Sequence, residues 1–213
     1  MNPDNAPTTA ASSVLKAGRQ FGVYRVEALL GAGGMGRVFR AVDTRLNRPV
    51  AIKVCSARFG ERFDREVRAI SAFNHPHICT LYDIGPDYLV MELIDGDTLS
   101  ARIRKGPLPM EEVLRYGAQI ADALTEAHRA GIVHRDLKPG NVMITRHGVK
   151  VLDFGLAKMT ETLEPTVTEP FAILGTPAYM APEQIAGRDA GTRSDLFALG
   201  LVLYEMKIGR AHV

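Results

Sequence analysis

The chain has 213 residues, 46% apolar and 23% charged, which is room for one large domain with an ordinary core and excludes a disordered chain, a collagen or a disulfide-stapled miniprotein. Twenty-six Lys and Arg against 24 Asp and Glu leave a net charge of +2, too little to argue for nucleic acid or an anionic membrane as partner. Two cysteines, no apolar leader and no apolar run approaching about 18 residues set a reducing, cytoplasmic expectation with no membrane segment in this chain.

Residues 1–20, rich in Ala, Ser, Thr, Asn and Pro, carry no periodicity and are expected to be a disordered tail. Strands are predicted at 24–30, 37–42, 50–54, 80–84 and 88–91, punctuated by Gly, Pro and Asn. One helix interrupts them at 62–73, where Phe63, Val67, Ile70 and Phe73 recur at helical spacing. After Gly96 the pattern turns helical: 110–130 places Val113, Leu114, Gly117, Ile120, Ala121, Leu124 and His128 along one stripe behind Pro107 and Pro109. Two short strands, 142–145 and 149–152, flank a turn at His147 and Gly148, and a long polar connection follows from Asp153 to Glu183. A last apolar helix starts near Ser194.

Three patterns carry chemistry. Gly31, Gly33, Gly36 and Val38 spell G-x-G-x-x-G-x-V between two predicted strands, where residues without bulk let backbone amides approach a phosphate chain. A Rossmann fingerprint would need a helix next, and 37–42 alternates like a strand; an ordinary flexible hairpin reads the same glycines. Lys53 sits inside the apolar run Val50-Ala51-Ile52, where a buried ammonium needs negative partners: Glu66 on the following helix and a nucleotide phosphate are candidates, and a lysine snorkelling at a strand edge is the alternative. His134-Arg135-Asp136-Leu137-Lys138-Pro139-Gly140-Asn141 compresses a base, two cations and a metal-type amide into one short stretch, and Asp153-Phe154-Gly155 adds a hard oxygen ligand at a strand end. His75, His77 and Cys79 alternate as well, but alternation sets no tetrahedral geometry, and Cys55 and Cys79 read as small apolar fillers.

Taken in order, Gly31, Lys53, Glu66, Asp136, Asn141, Asp153, Ala181-Pro182-Glu183 and Asp195 resemble the catalytic domain of the protein kinases from about Tyr24 to Met206. Lys138 after His-Arg-Asp and Gly175-Thr176-Pro177-Ala178-Tyr179 are similar to serine/threonine kinases, and Gly31-Ala32-Gly33-Gly34-Met35-Gly36 to their bacterial, eukaryotic-like (Hanks-type) branch. The resemblance implies a two-lobed α+β fold. Its N-lobe (21–94) would be an antiparallel sheet plus one helix, and its helical C-lobe (95–206) would be incomplete after the Asp195 helix. Lys53, Asp136, Asn141 and Asp153 would gather in a cleft around a triphosphate.

The same resemblance implies ATP and Mg2+ as cofactors and protein substrates with Ser or Thr acceptors, including a second copy of the chain during autophosphorylation. Residues 31–36 would cover the phosphates, with Lys53 on the α- and β-phosphates and paired to Glu66; Asn141 and Asp153 would hold magnesium. Asp136 would orient the substrate hydroxyl and take its proton, with Lys138 near the transferred group. Met91 would be the gatekeeper of the adenine pocket, Glu92 to Ile94 its hinge, and Val38, Ala51 and Met143 its apolar walls. Arg135 predicts control by phosphorylation at Thr160, Thr162, Thr166 or Thr168, while Thr176 would bind Asp136 and Lys138.

Two departures qualify the match. The link from Lys53 to Glu66 is shorter than usual, which leaves room for a non-catalytic, pseudokinase-like nucleotide-binding module as the alternative. The helical lobe stops early, so Glu183 would lack its usual arginine and, if truly buried, cost about 3–5 kcal/mol. Residues 208–213 are permissibly encoded by a string resembling a sequencing-library adapter, so 207–213 is expected to be a non-native tail and the full-length protein could be anchored through a further segment.

Overall fold

The structure is a computed structural model, and it describes residues 18–33, 36–55, 70–71, 73–154 and 177–209. The chain divides into two compact units, one of residues 1–59 and 81–93, the other of 60–80 and 94–213.

The first unit is a six-stranded antiparallel sheet in the order β1-β2-β3-β4-β6-β5. Its strands are β1 (Gln20–Phe21), β2 (Tyr24–Gly33), β3 (Gly36–Asp43), β4 (Arg48–Val54), β5 (Leu81–Ile84) and β6 (Tyr88–Glu92). Alternation decides which side chains meet: Val26, Phe39, Ala41, Val50, Ile52, Val54 and Val90 form one buried cluster with Tyr24. Tyr24 is tied to β5 through its hydroxyl, which donates to Asp83 Oδ2 at 2.6 Å. Burial first, and then that carboxylate, push the Tyr24 phenol well above its ordinary pKa.

The β3–β4 turn is organised by Asp43, which accepts the amides of Arg45 and Leu46 at 3.0 and 3.4 Å. Burial pushes the Asp43 carboxyl upward, but those amides and the Arg45 guanidinium outweigh it, and the net shift is downward. Order begins earlier than composition predicts: β1 pairs with β2, and Gly18 N–H donates to Val26 O at 2.9 Å, so Gly18 to Gln20 belong to the sheet rather than to a tail.

The second unit contains β7 (Asp97–Thr98), α1 (Leu99–Ile103), α2 (Met110–Arg129), β8 (Val142–Thr145), β9 (Gly148–Val151), α3 (Pro182–Ile185) and α4 (Thr192–Ile208). Helix α2 carries acids in its first turn (Glu111, Glu112) and bases in its last (His128, Arg129), in accord with the helix dipole. It buries Val113, Tyr116, Ile120, Ala123, Leu124 and Ala127; the larger apolar side chains are each worth about 1.5–3 kcal/mol when fully buried. Gly117 lets Leu203 of α4 approach, since a Cβ there would lie 2.6 Å from the Leu203 Cδ2.

The segment 73–80 was expected to belong to the small lobe, yet it groups with the second unit. Backbone pairing explains this: Ile78 bridges Val151, Cys79 N–H donates to Val151 O at 2.9 Å, and Val151 N–H donates to His77 O at 2.8 Å. Helix α4 runs past the predicted domain end at 206 through Ile208, and Gly209, at φ 76°, closes it by donating to Glu205 O. The predicted helix at 62–73 lies outside the described residues except for Ile70, Ser71 and Phe73.

Candidate active site

In the first unit, strand register builds a surface opposite the hydrophobic cluster. Val38 pairs with Lys53, Lys53 with Leu89, and Ala51 with Met91. Directly opposed residues point to the same side of a sheet, and residues two apart on a strand share a face, so Val38, Ala51, Lys53 and Met91 lie together. This is how a lysine can stand in the apolar run Val50–Val54 without entering the core; it is nonetheless buried, at 6% exposure.

The glycine-rich hairpin joins β2 to β3 with Gly31 opposite Val38, Ala32 opposite Arg37 and Gly33 opposite Gly36. Gly36 has φ 125°, and a Cβ on it would lie 2.0 Å from the carbonyl oxygen of Val54. Only glycine fits that approach of hairpin to β4. Glu92 ends β6, and Ile94 begins the return of the chain to the second unit.

In the second unit, the 134–141 stretch folds around Asp136. Lys138 Nζ lies 2.7 Å from Asp136 Oδ2, and Asn141 Nδ2 donates both to that oxygen (3.1 Å) and to the Asp136 carbonyl (2.7 Å). These two side-chain bonds both fall on Oδ2 and leave Oδ1 outside the cluster. The amide nitrogen of Asn141 is engaged this way, and its amide oxygen Oδ1, an acceptor, takes no part in the cluster. Asn141 also accepts from Leu152 N–H at 2.8 Å, which ties the loop to the residue preceding Asp153. Met143 follows on β8, where it pairs with Lys150.

The loop's shape is imposed from beneath by Asp195, 1% exposed at the start of α4. Its Oδ2 accepts from His134 N–H (2.8 Å) and lies 2.8 Å from His128 Nε2; its Oδ1 accepts from Arg135 N–H (2.9 Å). Arg135 is thereby held at φ 69°, a left-handed conformation that a residue with a long side chain adopts only when its surroundings require it. Asp153, at φ 59°, is left-handed as well.

His134 is fully buried and joins the two. Its Nε2–H donates to Leu152 O at 2.8 Å and its Nδ1 accepts from Asp136 N–H at 3.3 Å, which defines a neutral ring. Burial drives its pKa below the usual imidazole value, against the pull of Asp195 and neighbouring carboxylates. Phe154, 3% exposed, lies against this ring with centroids 4.8 Å apart.

Several predicted site residues lie outside the described residues: Gly34, Met35, Glu66, Gly155 and the threonines Thr160, Thr162, Thr166, Thr168 and Thr176. Glu183 departs from expectation. It is half-buried rather than buried, and Ser194 Oγ donates to it at 2.6 Å, which lowers its pKa. A partner three positions into α4 thus satisfies Glu183, and the predicted penalty of an unpaired buried charge does not arise. The alternating histidines are also accounted for: His75 Nε2 meets Asp122 at 3.2 Å and His77 Nδ1 donates to Val149 O at 2.9 Å. Among the described residues no three His, Cys, Asp or Glu side chains gather to hold a metal ion, and no helix is long and apolar enough to cross a membrane. Gln184, which the sequence does not single out, and Ser194 and His128, which it places only on helices, all contact this framework.

Residues 24–212 match the family described as the protein kinase domain. Serine/threonine-protein kinase PknA of Mycobacterium tuberculosis is 42% identical over 206 residues, covering 89% of this chain and 47% of PknA. Serine/threonine-protein kinase pkn3 of Myxococcus xanthus is 42% identical over 205 residues, covering 87% of this chain and 38% of pkn3. The chain therefore spans less than half the length of either relative. Among solved structures, the kinase domain of M. tuberculosis PknI superposes with a TM-score of 0.75 at 30% identity, covering 93% of this chain and 80% of that one.

Proposed function

Because this chain belongs to the protein kinase domain family, we propose that it transfers the γ-phosphate of ATP to serine or threonine hydroxyls of proteins. The observation that carries the proposal is the Asp136–Lys138–Asn141 cluster, with the carboxylate's Oδ2 bound on two sides and its Oδ1 outside those bonds. Asp136 Oδ1 accepts the proton as the substrate oxygen bonds to the γ-phosphorus and the bond to the β-phosphate oxygen breaks, so charge and proton both balance. Such a positioned base is worth about 10²–10⁴-fold in rate. Lys138, at the same carboxylate, places positive charge beside the group in transit.

Lys53, on the face it shares with Val38, Ala51 and Met91, holds the α- and β-phosphates under the glycine-rich hairpin, and Met91 with Glu92 to Ile94 lines the adenine. The Asn141 amide oxygen and the Asp153 carboxylate are hard oxygen ligands of the type magnesium takes, and they would hold it. Bound there, the ion would neutralise charge on the β- and γ-phosphates. Thr160, Thr162, Thr166 or Thr168, once phosphorylated, would present its charge to Arg135, and Thr176 would bind Asp136 and Lys138. Reduced Cys55 and Cys79 fit a cytoplasmic site of action. A second copy of the chain would be the first protein substrate.

Transfer of label from γ-labelled ATP to a generic Ser/Thr protein tests the proposal. Wild type should label it in magnesium, and Asp136→Asn and Asp153→Ala should each abolish the signal. Nucleotide binding without transfer by the wild type would contradict it.

A further inference from the structure

Gln184 follows the Ala181-Pro182-Glu183 triplet on a helix of one turn, far in sequence from the catalytic loop. Its side-chain amide nevertheless has both ends assigned. Oε1 accepts from Ala181 N–H at 3.1 Å, and Nε2 donates to the carbonyl of Arg135 at 2.9 Å. The first bond determines the amide's orientation, because only the oxygen can accept from a backbone N–H.

The Arg135 carbonyl belongs to the peptide plane that ends in the amide of Asp136. That plane is held at its nitrogen by His134 Nδ1, at 3.3 Å, and at its oxygen by Gln184. One residue back, Asp195 Oδ1 holds the Arg135 N–H at 2.9 Å. A left-handed residue has two ways to relax, rotation at its N–H side or at its carbonyl side; Asp195 blocks the first and Gln184 the second. Rotation of this plane would swing the bond that carries the Asp136 carboxylate, so its aim depends on Gln184.

We propose that Gln184 is a positioning residue for phosphoryl transfer, linking the N-terminus of α3 to the peptide that aims Asp136. The inference rests on the function proposed above. The variant that isolates it is Gln184→Glu, which keeps an acceptor for Ala181 N–H and puts an acid in the first helical turn, but replaces the donor to Arg135 O with a repelling oxygen.

In the full chain, Gln184→Glu should melt within about 2 °C of wild type. Its kcat should fall about tenfold, with KM for ATP within about twofold. Deuterium uptake over residues 132–137 should accelerate. Gln184→Met, lacking both bonds, should show the same kcat loss and a lower Tm. Wild-type kcat and uptake in Gln184→Glu would make Gln184 a helix cap only and overturn the proposal, as would a kcat loss accompanied by a matching fall in Tm. If the wild type transfers no phosphate, the proposed function fails on its own. Uptake over 132–137 then still decides the clamp, faster exchange supporting it and unchanged exchange overturning it.

Discussion

Asp195 Oδ1 accepts the backbone N–H of Arg135 at 2.9 Å across 60 residues of sequence. With the same carboxylate on His134 N–H and beside His128, a single buried anion shapes the loop that presents Asp136. Asp195→Asn keeps the shape but turns one acceptor into a donor facing an N–H. It should lower stability by about 3 kcal/mol, the scale of two weakened charge-assisted hydrogen bonds, and reduce phosphotransfer by about ten- to a hundredfold. Urea unfolding and a steady-state assay check both; an unchanged kcat would remove Asp195 from the account.

His134 gives the fold a pH dependence of definite sign. Its folded pKa lies below the ordinary value of 6.5, so as pH falls the unfolded chain takes up the proton first. The contribution to stability is whole above about 6.5 and is lost as pH falls from there toward the lowered folded value. His134→Phe, which retains a ring against Phe154, should flatten the fall in urea midpoint between about pH 7 and 5.5. Equal slopes for the two proteins would show that the ring does not titrate as described.

Glu183 has the acid counterpart. Its folded pKa is lowered, first by the Ser194 hydroxyl, from an ordinary 4.5. The bond therefore stabilises above about 4.5 and fades below it. Ser194→Ala should weaken acid sensitivity below about pH 5, read as a shallower loss of circular dichroism signal on acid titration than in wild type.

At the hairpin, Gly36→Ala would drive a Cβ into the Val54 carbonyl at a φ that L residues rarely adopt. A shifted hairpin should raise the Kd for an ATP analogue several-fold, and the strain should cost about 1–3 kcal/mol. Isothermal titration with an ATP analogue and thermal unfolding measure the two effects; wild-type values in both would mean that the hairpin accommodates the methyl.

The legible parts of this molecule are those in which chemistry and position coincide along the chain. Helix α2 starts at Met110 as its stripe of apolar residues predicts and ends one residue short, at Arg129; β8 occupies the predicted 142–145. Asp136, Lys138 and Asn141 lie close enough in sequence for their grouping to be read directly. β1, β7, α1 and α3, of two to five residues, are too short to show a period and lack the apolar, β-branched run that marks the equally short β6 and β8. The contacts of Gln184 with Arg135 and of His128 with Asp195 join residues 49 and 67 positions apart, brought together by tertiary packing. The cost expected of a buried Glu183 does not apply for a similar reason: its half-burial and its bond to Ser194, 11 residues away, are set by tertiary packing.

The most direct test is intact-mass and peptide mass spectrometry of the purified chain after incubation with ATP and magnesium, alongside Asp136→Asn. Phosphate on Ser or Thr residues of the wild type, foremost among Thr160, Thr162, Thr166 and Thr168, and none on the variant is the predicted outcome. Equal phosphate on both proteins, or none on either, would contradict the assignment of Asp136 as the base of a phosphotransferase.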